Sequence, residues 1–310
     1  MRIVILGAGA VGVVMGVALE HMKHEVIYLV RPGRRRQLQQ LLLIHAATGE
    51  TRCRERPQVA ELGDDLPPFE WFLIATRGDQ LQGAMEALHA HGKPGAALAV
   101  AAVSTIDLAE VRASWPNAPV FTVTPAFCAW SEEPGSWRWF QPPLVKTITS
   151  GEGDPESDKA AAEFAGALLA AGIPARAVPS AKRMLASLLA PGSALLAGWE
   201  LAGWDALALA RDGSLRKLTA QAIGEAARAV RDDDADLSLR LLTLVPASAL
   251  DLLLRALPVA ATANLREMWK HHGPKIRGQT REILDRAIER SRSDELPRLR
   301  ELRARLLPLE

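Results

Sequence analysis

The first twelve residues read MRIVILGAGAVG, an apolar run at residues 3–6 followed by Gly7, Gly9 and Gly12. A helical pattern follows the glycines, and a second apolar run occupies residues 26–30. This order of strand, glycine turn, helix and strand is typical of a unit that binds a dinucleotide on its glycine turn. The stretch therefore predicts that the chain begins with a Rossmann-type domain.

The three glycines have separate expected roles. Gly7 permits a tight turn, Gly9 lets the backbone approach a pyrophosphate, and Gly12 lets the helix pack close to the strand. The helix that follows presents free N–H groups and the positive end of its dipole to the phosphates. The alternative is a glycine-rich turn without a ligand. We expect the whole motif to bind the cofactor: Gly7, Ala8, Gly9, Ala10, Val11 and Gly12.

The end of the second strand distinguishes NADP from NAD. Proteins that bind NAD usually carry Asp or Glu there, which accepts hydrogen bonds from the ribose 2′-hydroxyl. This chain has Arg31, followed by arginines at residues 34–36. A guanidinium binds a 2′-phosphate bidentately, whereas a carboxylate repels it. Arg31 therefore predicts NADP (NADPH). The alternative for residues 34–36 is an ordinary solvated start of a helix.

Length and composition limit the class of protein. The chain has 310 residues, a formal net charge of +1 and 48% hydrophobic residues, enough for two domains with full cores. A charge near zero argues against nucleic acid or an anionic membrane as the main partner. Cys53 and Cys128 form neither a disulfide framework nor a metal-ligand cluster, so we expect a reduced, cytoplasmic protein without a bound metal.

The sequence predicts neither a targeting segment nor a membrane span. Because the first strand starts at once, we expect no signal or transit peptide. The long apolar stretches at residues 184–210 and 239–265 contain prolines and charged residues. Both are expected to be buried helices rather than membrane spans.

The rest of the chain changes its pattern near residue 180. Up to there, apolar runs alternate with helical segments, one of them expected at residues 37–44, which predicts βαβ units and a parallel sheet. Beyond it the pattern is helical, with breaks expected at Pro191 and Pro258, among others. We predict an α/β protein: a Rossmann-type doubly wound parallel sheet in residues 1–180 and an all-helical substrate and dimerisation domain in residues 181–310.

More cofactor ligands are expected at the carboxyl ends of later strands, where parallel sheets bind their ligands. Residues 71–76 and 96–103 are apolar runs of the kind that form buried parallel strands. The residues at their ends are the further candidates: Thr76, Arg77, Gln80 and Val103.

On these residues the chain resembles the ketopantoate reductase family, whose members reduce 2-dehydropantoate with NADPH. Residues 1–12 are close to that family's opening, and Arg31 stands where the family has its 2′-phosphate arginine. The segment Thr76-Arg77 with Gln80 is similar to the family's turn after the fourth strand. Residues 127–135 and 218–230 also resemble family segments. The resemblance implies reduction of a substrate in a cleft between two domains.

The family's substrate-side residues do not carry over. Its asparagine and glycine after an apolar strand fall near Ala101. Its catalytic lysine falls on Met184, and a following asparagine on Leu188. Its serine and its glutamate fall on Ala263 and Lys275. The resemblance therefore implies a divergent member with an altered substrate site, because reducing a keto acid by the family's mechanism needs an acid that this chain lacks there.

Two lysines are candidates to replace the lost acid. Lys182 lies two positions before Met184, which turns its side chain by about 200° on a helix. Lys275 takes the glutamate's place. Both have the alternative of an exposed surface lysine. His271 and His272 are weaker candidates, and the acidic residues 232–236 are expected to be solvated loop rather than a metal site.

Tryptophan is abundant, with eight residues beside one tyrosine. Core packing is the ordinary explanation, but an apolar or aromatic substrate pocket is the alternative. The candidates for such a pocket are Trp130, Trp137, Trp139, Trp199 and Trp204.

We therefore expect an NADPH-dependent oxidoreductase that transfers hydride to a carbonyl or imine carbon of a small, less polar substrate. A homodimer through the helical domain is one option, and neither nucleic acid nor membrane is an expected partner. One alternative is an inactive NADP(H)-binding sensor or partner protein. Another is a true 2-dehydropantoate 2-reductase with a relocated lysine acid.

Overall fold

The computed structural model describes most of the chain. The described residues are 1–38, 42–46, 49–76, 80–91, 96–101, 108–142, 145–230, 237–260, 263–291 and 296–308. They divide into two compact units, Met1–Ala181 and Lys182–Glu310.

The N-terminal unit alternates strands and helices. Its strands are β1 (Arg2–Leu6), β2 (Glu25–Val30), β3 (Leu42–Ala46), β4 (Thr51–Arg54), β5 (Gln58–Glu61), β6 (Trp71–Ile74), β7 (Ala97–Ala101), β8 (Val120–Thr124), β9 (Cys128–Glu133), β10 (Ser136–Phe140), β11 (Thr147–Ser150) and β12 (Ala175–Ala177). Its helices are α1 (Ala10–His21), α2 (Arg35–Leu38), α3 (Leu81–His91), α4 (Leu108–Ser114) and α5 (Pro155–Ala170).

The main sheet has the doubly wound order that the sequence predicts. Among the described residues it contains eight strands, in the order β12-β11-β8-β7-β6-β1-β2-β5. Neighbouring strands are parallel except β11 and β8. Leu6 is in register with Leu29 on one side and with Ile74 on the other. The carboxyl ends of β1, β2 and β6 therefore lie along one edge, and the Rossmann-type fold is confirmed.

The central strands are apolar at every position because helices cover both faces of the sheet. All four residues of β6 are buried, as are all five of β7. One face packs on α1 and α5, where Phe164 and Leu168 are fully buried against Trp71 and its neighbours. The other face packs on α3 and α4 through Leu88, Val111 and similar residues.

A second sheet corrects one expectation. Residues 37–44 were expected to form a helix, but residues 42–46 are strand β3, and residues 39–41 lie outside the described part. β3 belongs to a sheet of order β4-β3-β10-β9, in which it pairs in parallel with β10. Leu42 and Ile44 are buried in alternation with less buried neighbours, a strand pattern. The pairing with a strand ninety positions away overrides local helix propensity.

A buried polar group joins this second sheet to α1. Arg54 Nε of β4 lies 2.8 Å from Glu20 Oε1 of α1. The Tyr28 side chain of β2 is completely buried beside them. Burial raises the pKa of the Glu20 carboxyl from its ordinary 4.5 to about 7, and Arg54 and Tyr28 lower it only in part. The Arg54 side chain is 38% exposed, so water screens its charge.

The C-terminal unit is helical, as predicted. Its helices are α6 (Ala181–Leu201), α7 (Ala206–Arg211), α8 (Gly213–Ala229), α9 (Leu237–Leu244), α10 (Ala247–Ala260), α11 (Ala263–His272), α12 (Arg277–Arg290) and α13 (Pro297–Arg305), with a 3-10 helix at Gly273–Ile276.

Two expected breaks do not occur. Pro191 lies inside α6 and Pro258 inside α10. A proline inside a helix costs about 3 kcal/mol. Packing offsets this in α6, where Ala190, Ala194 and Ala197 are buried in the core of the unit.

One described helix, α6, is long and apolar enough to cross a membrane by length and composition alone, and 44% of its apolar window is buried inside the unit. A buried core helix passes the same test, so this is weak support for a span.

Gly16 of α1 should not tolerate a side chain. A Cβ there would overlap the buried Tyr28 hydroxyl and ring. We expect Gly16→Ala to lower the free energy of unfolding by about 1–3 kcal/mol, measured by urea denaturation of the full chain.

Gly166→Ala is the matched control, since Gly166 is an exposed position inside α5 with nothing within 4 Å of a Cβ. It should raise the free energy of unfolding by roughly 0.5–1 kcal/mol through helix propensity. Equal effects of the two variants would contradict the close contact at Gly16.

Glu20 should make stability depend on pH. Its pKa is higher in the folded state, so its contribution is complete below pH 4.5 and is lost as pH rises through about 7. Relative to Glu20→Gln, the wild type should lose roughly 2–4 kcal/mol of unfolding free energy between acidic and mildly alkaline pH. Exposed Glu163→Gln on α5 is the control, and parallel stability curves for wild type and Glu20→Gln would refute the buried carboxyl.

Candidate functional site

The glycine turn joins β1 directly to α1. Gly7 has φ +102°, a conformation that favours glycine, and a Cβ there would lie 2.7 Å from the Ala75 carbonyl oxygen. A Cβ on Gly12 would overlap the Gly7 carbonyl oxygen and approach Ala75 Cβ to 3.3 Å. These two glycines let the first turn of α1 lie against the ends of β1 and β6.

The middle of the turn is open. Gly9 is exposed, and nothing lies within 4 Å of a Cβ placed on it. It is the N-cap residue of α1, and no side chain caps that end of the helix. The Gly9 carbonyl accepts a hydrogen bond from Val13 N at 2.9 Å, so the helix starts regularly. Ala10 and Val11 form its first, half-buried positions, with their N–H groups at the helix start, where an anion binds well.

Thr76 adds a hydroxyl at the end of β6. Its methyl group would lie 3.1 Å from a Cβ on Gly7. Its Oγ1 is buried and has no hydrogen-bond partner among the described residues. A buried hydroxyl without a partner costs about 1–3 kcal/mol, which a phosphate or ribose oxygen would relieve.

The other predicted residues of this edge are less well defined. Gln80 is exposed, one residue before α3. Arg77 and Val103 lie outside the described residues. Ala101, another residue singled out in the sequence, is the last residue of β7 and is buried.

Arg31 follows β2 at the same edge and is exposed. The next residues form a turn in which Arg34 N donates to Arg31 O at 3.1 Å and Gly33 has φ +79°. Proline followed by a glycine with positive φ is the signature of a type II turn. Arg35 forms an ion pair with Asp64, whereas Arg36 is exposed at the start of α2. The four arginines therefore have different environments.

The candidate acids of the C-terminal unit lie on its surface. Lys182 is exposed in the first turn of α6, and Met184 is half-buried. Leu188 is 51% exposed. Lys275 is exposed in the 3-10 helix. The side chain of Ala263 lies outside the described part.

The C-terminal unit contains a cluster of three tryptophans, Trp199, Trp204 and Trp269. The rings of Trp199 and Trp269 lie 5.0 Å apart and are tilted by 38°, and Trp204 packs with them. None of the three indole N–H groups has an acceptor among the described residues. The Trp269 ring meets His272 edge-on at 6.1 Å. Burial, with a smaller effect of the Lys275 charge, lowers the pKa of His272 to about 4, so the ring is neutral at pH 7. A neutral His272 is a poor proton donor, while His271 is exposed.

The remaining tryptophans of the expected pocket belong to the core of the N-terminal unit. Trp130, Trp137 and Trp139 are buried in β9 and β10, and Trp139 packs edge-on against Phe127 at 5.7 Å. These three side chains support the second sheet, which agrees with the core-packing explanation.

A metal site finds no support in the part of the chain that the structure describes, where no three His, Cys, Asp or Glu residues cluster with suitable geometry. The acidic residues 232–236 lie outside that part.

Sequence reasoning missed two acidic residues near the arginines, Glu61 and Asp64. Glu61 is the last residue of β5 and Asp64 comes shortly after it, and β5 is a strand too short and too polar to predict. The signal that could have found them is the Pro32-Gly33 turn, because the backbone N–H groups of Gly33 and Arg35 need acceptors.

Comparison with known proteins agrees with the fold and the glycine turn. Residues 3–152 match the family model described as "Ketopantoate reductase PanE/ApbA". No curated protein matches the sequence.

Several solved structures share the fold at low sequence identity. A D-mandelate dehydrogenase with NADH and anilino(oxo)acetate is 13% identical with a TM-score of 0.73, over 98% of this chain and 96% of that one. The 2-dehydropantoate 2-reductase from Geobacter metallireducens GS-15 is 14% identical with a TM-score of 0.71, over 98% of each chain. A probable 2-dehydropantoate 2-reductase from Bacillus subtilis is 14% identical with a TM-score of 0.64, over 98% of each chain. The N-terminal residues 3–152 are therefore similar to the ketopantoate reductase PanE/ApbA family, and the chain shares its fold with these reductases.

Proposed function

We propose that this protein is an NADPH-dependent oxidoreductase of the ketopantoate reductase type. The observation that carries the proposal is the open Gly9 at the uncapped start of α1, with Arg31 exposed at the neighbouring strand end. The N–H groups of the helix start would bind the pyrophosphate, and Arg31 the 2′-phosphate. The relatives of known structure include one solved with NADH, which supports a nicotinamide cofactor.

The proposed reaction is reduction of a carbonyl or imine carbon. NADPH, when bound, supplies the hydride. The protein must then donate a proton to the developing alkoxide or amine and stabilise its charge. Lys275 and Lys182 are the proposed donors, because Met184 carries no exchangeable proton where the family has lysine.

The proposed substrate is small and less polar than ketopantoate. By the resemblance, Met184 and Leu188 replace polar groups of the family, and the Leu188 side chain is 51% exposed. The relative solved with anilino(oxo)acetate acts on D-mandelate by its name, so an aromatic substrate has a precedent in this fold.

Two alternatives remain part of the proposal. Met184 at the lysine position favours an inactive protein that binds NADP(H) as a sensor or partner subunit. The exposed Lys275 favours a true 2-dehydropantoate 2-reductase with a relocated acid.

We also propose a cytoplasmic protein that forms a homodimer through its helical unit, with no nucleic acid or membrane partner. Leu244, Leu252 and Leu253 support the dimer, since each is more than 60% exposed. Light scattering of the purified protein measures its mass directly.

Arg31→Ala should weaken NADPH binding about ten-fold or more, a loss typical of one charge-assisted phosphate contact, and leave NADH nearly unchanged. Dissociation constants from isothermal titration measure both. Arg36→Ala, a nearby exposed arginine, shows how much of the effect is general charge. Equal affinity of the wild type for NADPH and NADH would refute the role of Arg31.

Turnover should appear in a panel of 2-oxo acids, aldehydes and cyclic imines, followed by NADPH oxidation. Lys275→Met should then lower kcat about 100-fold or more, because general acids contribute this much. Lys217→Met removes an exposed lysine of α8 and is the control.

Other outcomes of these experiments favour the alternative functions. Tight NADPH binding without turnover on any panel member favours the sensor. Rescue of a pantothenate auxotroph favours the true 2-dehydropantoate 2-reductase. A Lys275→Met variant as active as Lys217→Met excludes Lys275 as the acid.

A further inference from the structure

The turn that carries Arg31 is held by an acidic residue of the neighbouring strand. β5 runs parallel to β2, and Glu61 is in register with Val30, the last residue before Arg31. Leu62 N donates to Val30 O at 2.8 Å, so the pairing continues to the end of both strands. The Glu61 side chain is thereby placed directly beside the Pro32-Gly33 turn.

One carboxylate oxygen of Glu61 binds an N–H group inside this turn and another just after it. Glu61 Oε1 accepts hydrogen bonds from Gly33 N at 3.0 Å and from Arg35 N at 3.2 Å. The first bond stabilises the turn in the conformation that Gly33 permits. The second satisfies an N–H group in the first turn of α2, which has no partner within the helix.

Asp64 holds Glu61 and Arg35 in the same arrangement. Asp64 Oδ2 accepts from Glu61 N at 2.8 Å and from the Arg35 guanidinium. Arg35 is therefore bound to the protein itself. Arg31 and Arg36 remain exposed on either side of the turn.

This geometry gives an acidic residue an unusual place. An acid at the end of the second strand, beside the position of Glu61, normally accepts hydrogen bonds from the ribose of NAD and repels a 2′-phosphate. Here Oε1 of the carboxylate is directed to backbone N–H groups, which partly neutralise it.

We infer that Glu61 is a positioning residue for cofactor selection: it holds the Pro32-Gly33 turn so that Arg31 can bind the 2′-phosphate of NADPH. The inference rests on the proposed function, because it gives Arg31 that ligand. Glu61 itself touches no cofactor atom in this role, so it acts through the turn.

The test compares Glu61→Gln with Glu61→Ala by isothermal titration of the full chain with NADPH and with NADH. The Gln amide oxygen can accept the same two N–H groups, so Glu61→Gln should keep the NADPH affinity within about two-fold. Glu61→Ala removes the acceptor and should weaken NADPH about ten-fold, equivalent to about 1.4 kcal/mol, with NADH changed less than about two-fold. If the carboxylate acted by repelling the phosphate, both variants would instead tighten NADPH.

A double-mutant cycle shows whether Glu61 acts through Arg31. In an Arg31→Ala background, Glu61→Ala should have little further effect on NADPH, because the group that it positions is gone. Additive losses would overturn the inference.

Gly33→Ala perturbs the same turn without changing any charge. It strains the positive φ of Gly33 and should also weaken NADPH selectively. Gly153→Ala is the control, since Gly153 has φ +86° and equally open surroundings. This pair gives an answer even if Glu61→Ala does not fold.

The inference and the proposed function can fail separately. A wild type that prefers NADPH, with a Glu61→Ala variant that keeps the full preference, would overturn the inference alone. A wild type that binds neither NADPH nor NADH would overturn both.

Discussion

The contact that the candidate site depends on is the close approach of α1 to the ends of β1 and β6. A Cβ on Gly12 would overlap the Gly7 carbonyl, and one on Gly7 would lie 2.7 Å from the Ala75 oxygen. No other residue type fits either position without movement of the backbone. Since α1 is placed by backbone contact, its first N–H groups are held rigidly at the sheet edge, with Thr76 and Arg31 at the adjoining strand ends.

The arginines near this edge are also held in place, by hydrogen bonds to the backbone and by an ion pair. Four arginines lie within six residues, yet Arg35 pairs with Asp64, and Glu61 binds the turn between Arg31 and α2. A count of arginines therefore overstates the positive charge that a ligand would meet. What matters for an anionic ligand is which guanidinium remains exposed: Arg35 is paired with Asp64, whereas Arg31 is exposed.

The parts of the structure that could be predicted are those determined by short stretches of sequence. The glycine turn, the buried strands and the helical C-terminal half follow from short-range spacing and period, so they could be read from the sequence. The second sheet could not, because β3 pairs with β10 across ninety residues and neither strand predicts the other. The continuous α6 was also missed, because the buried alanines around Pro191 offset a cost that local propensity counts in full. Glu61 was missed for the first reason, since only strand pairing brings it beside Arg31.

Substrate recognition is harder to predict than cofactor binding for a physical reason. A dinucleotide is bound mainly by backbone N–H groups, and the glycines that permit this are visible in any sequence. A substrate is bound by side chains, so single replacements can change the chemistry without changing the fold. Burial then alters what each remaining group can do: it keeps His272 neutral beside Trp269, whereas Lys275, three positions later, is exposed. His272, which burial keeps neutral, is therefore a poor proton donor despite its ordinary pKa near 6.5.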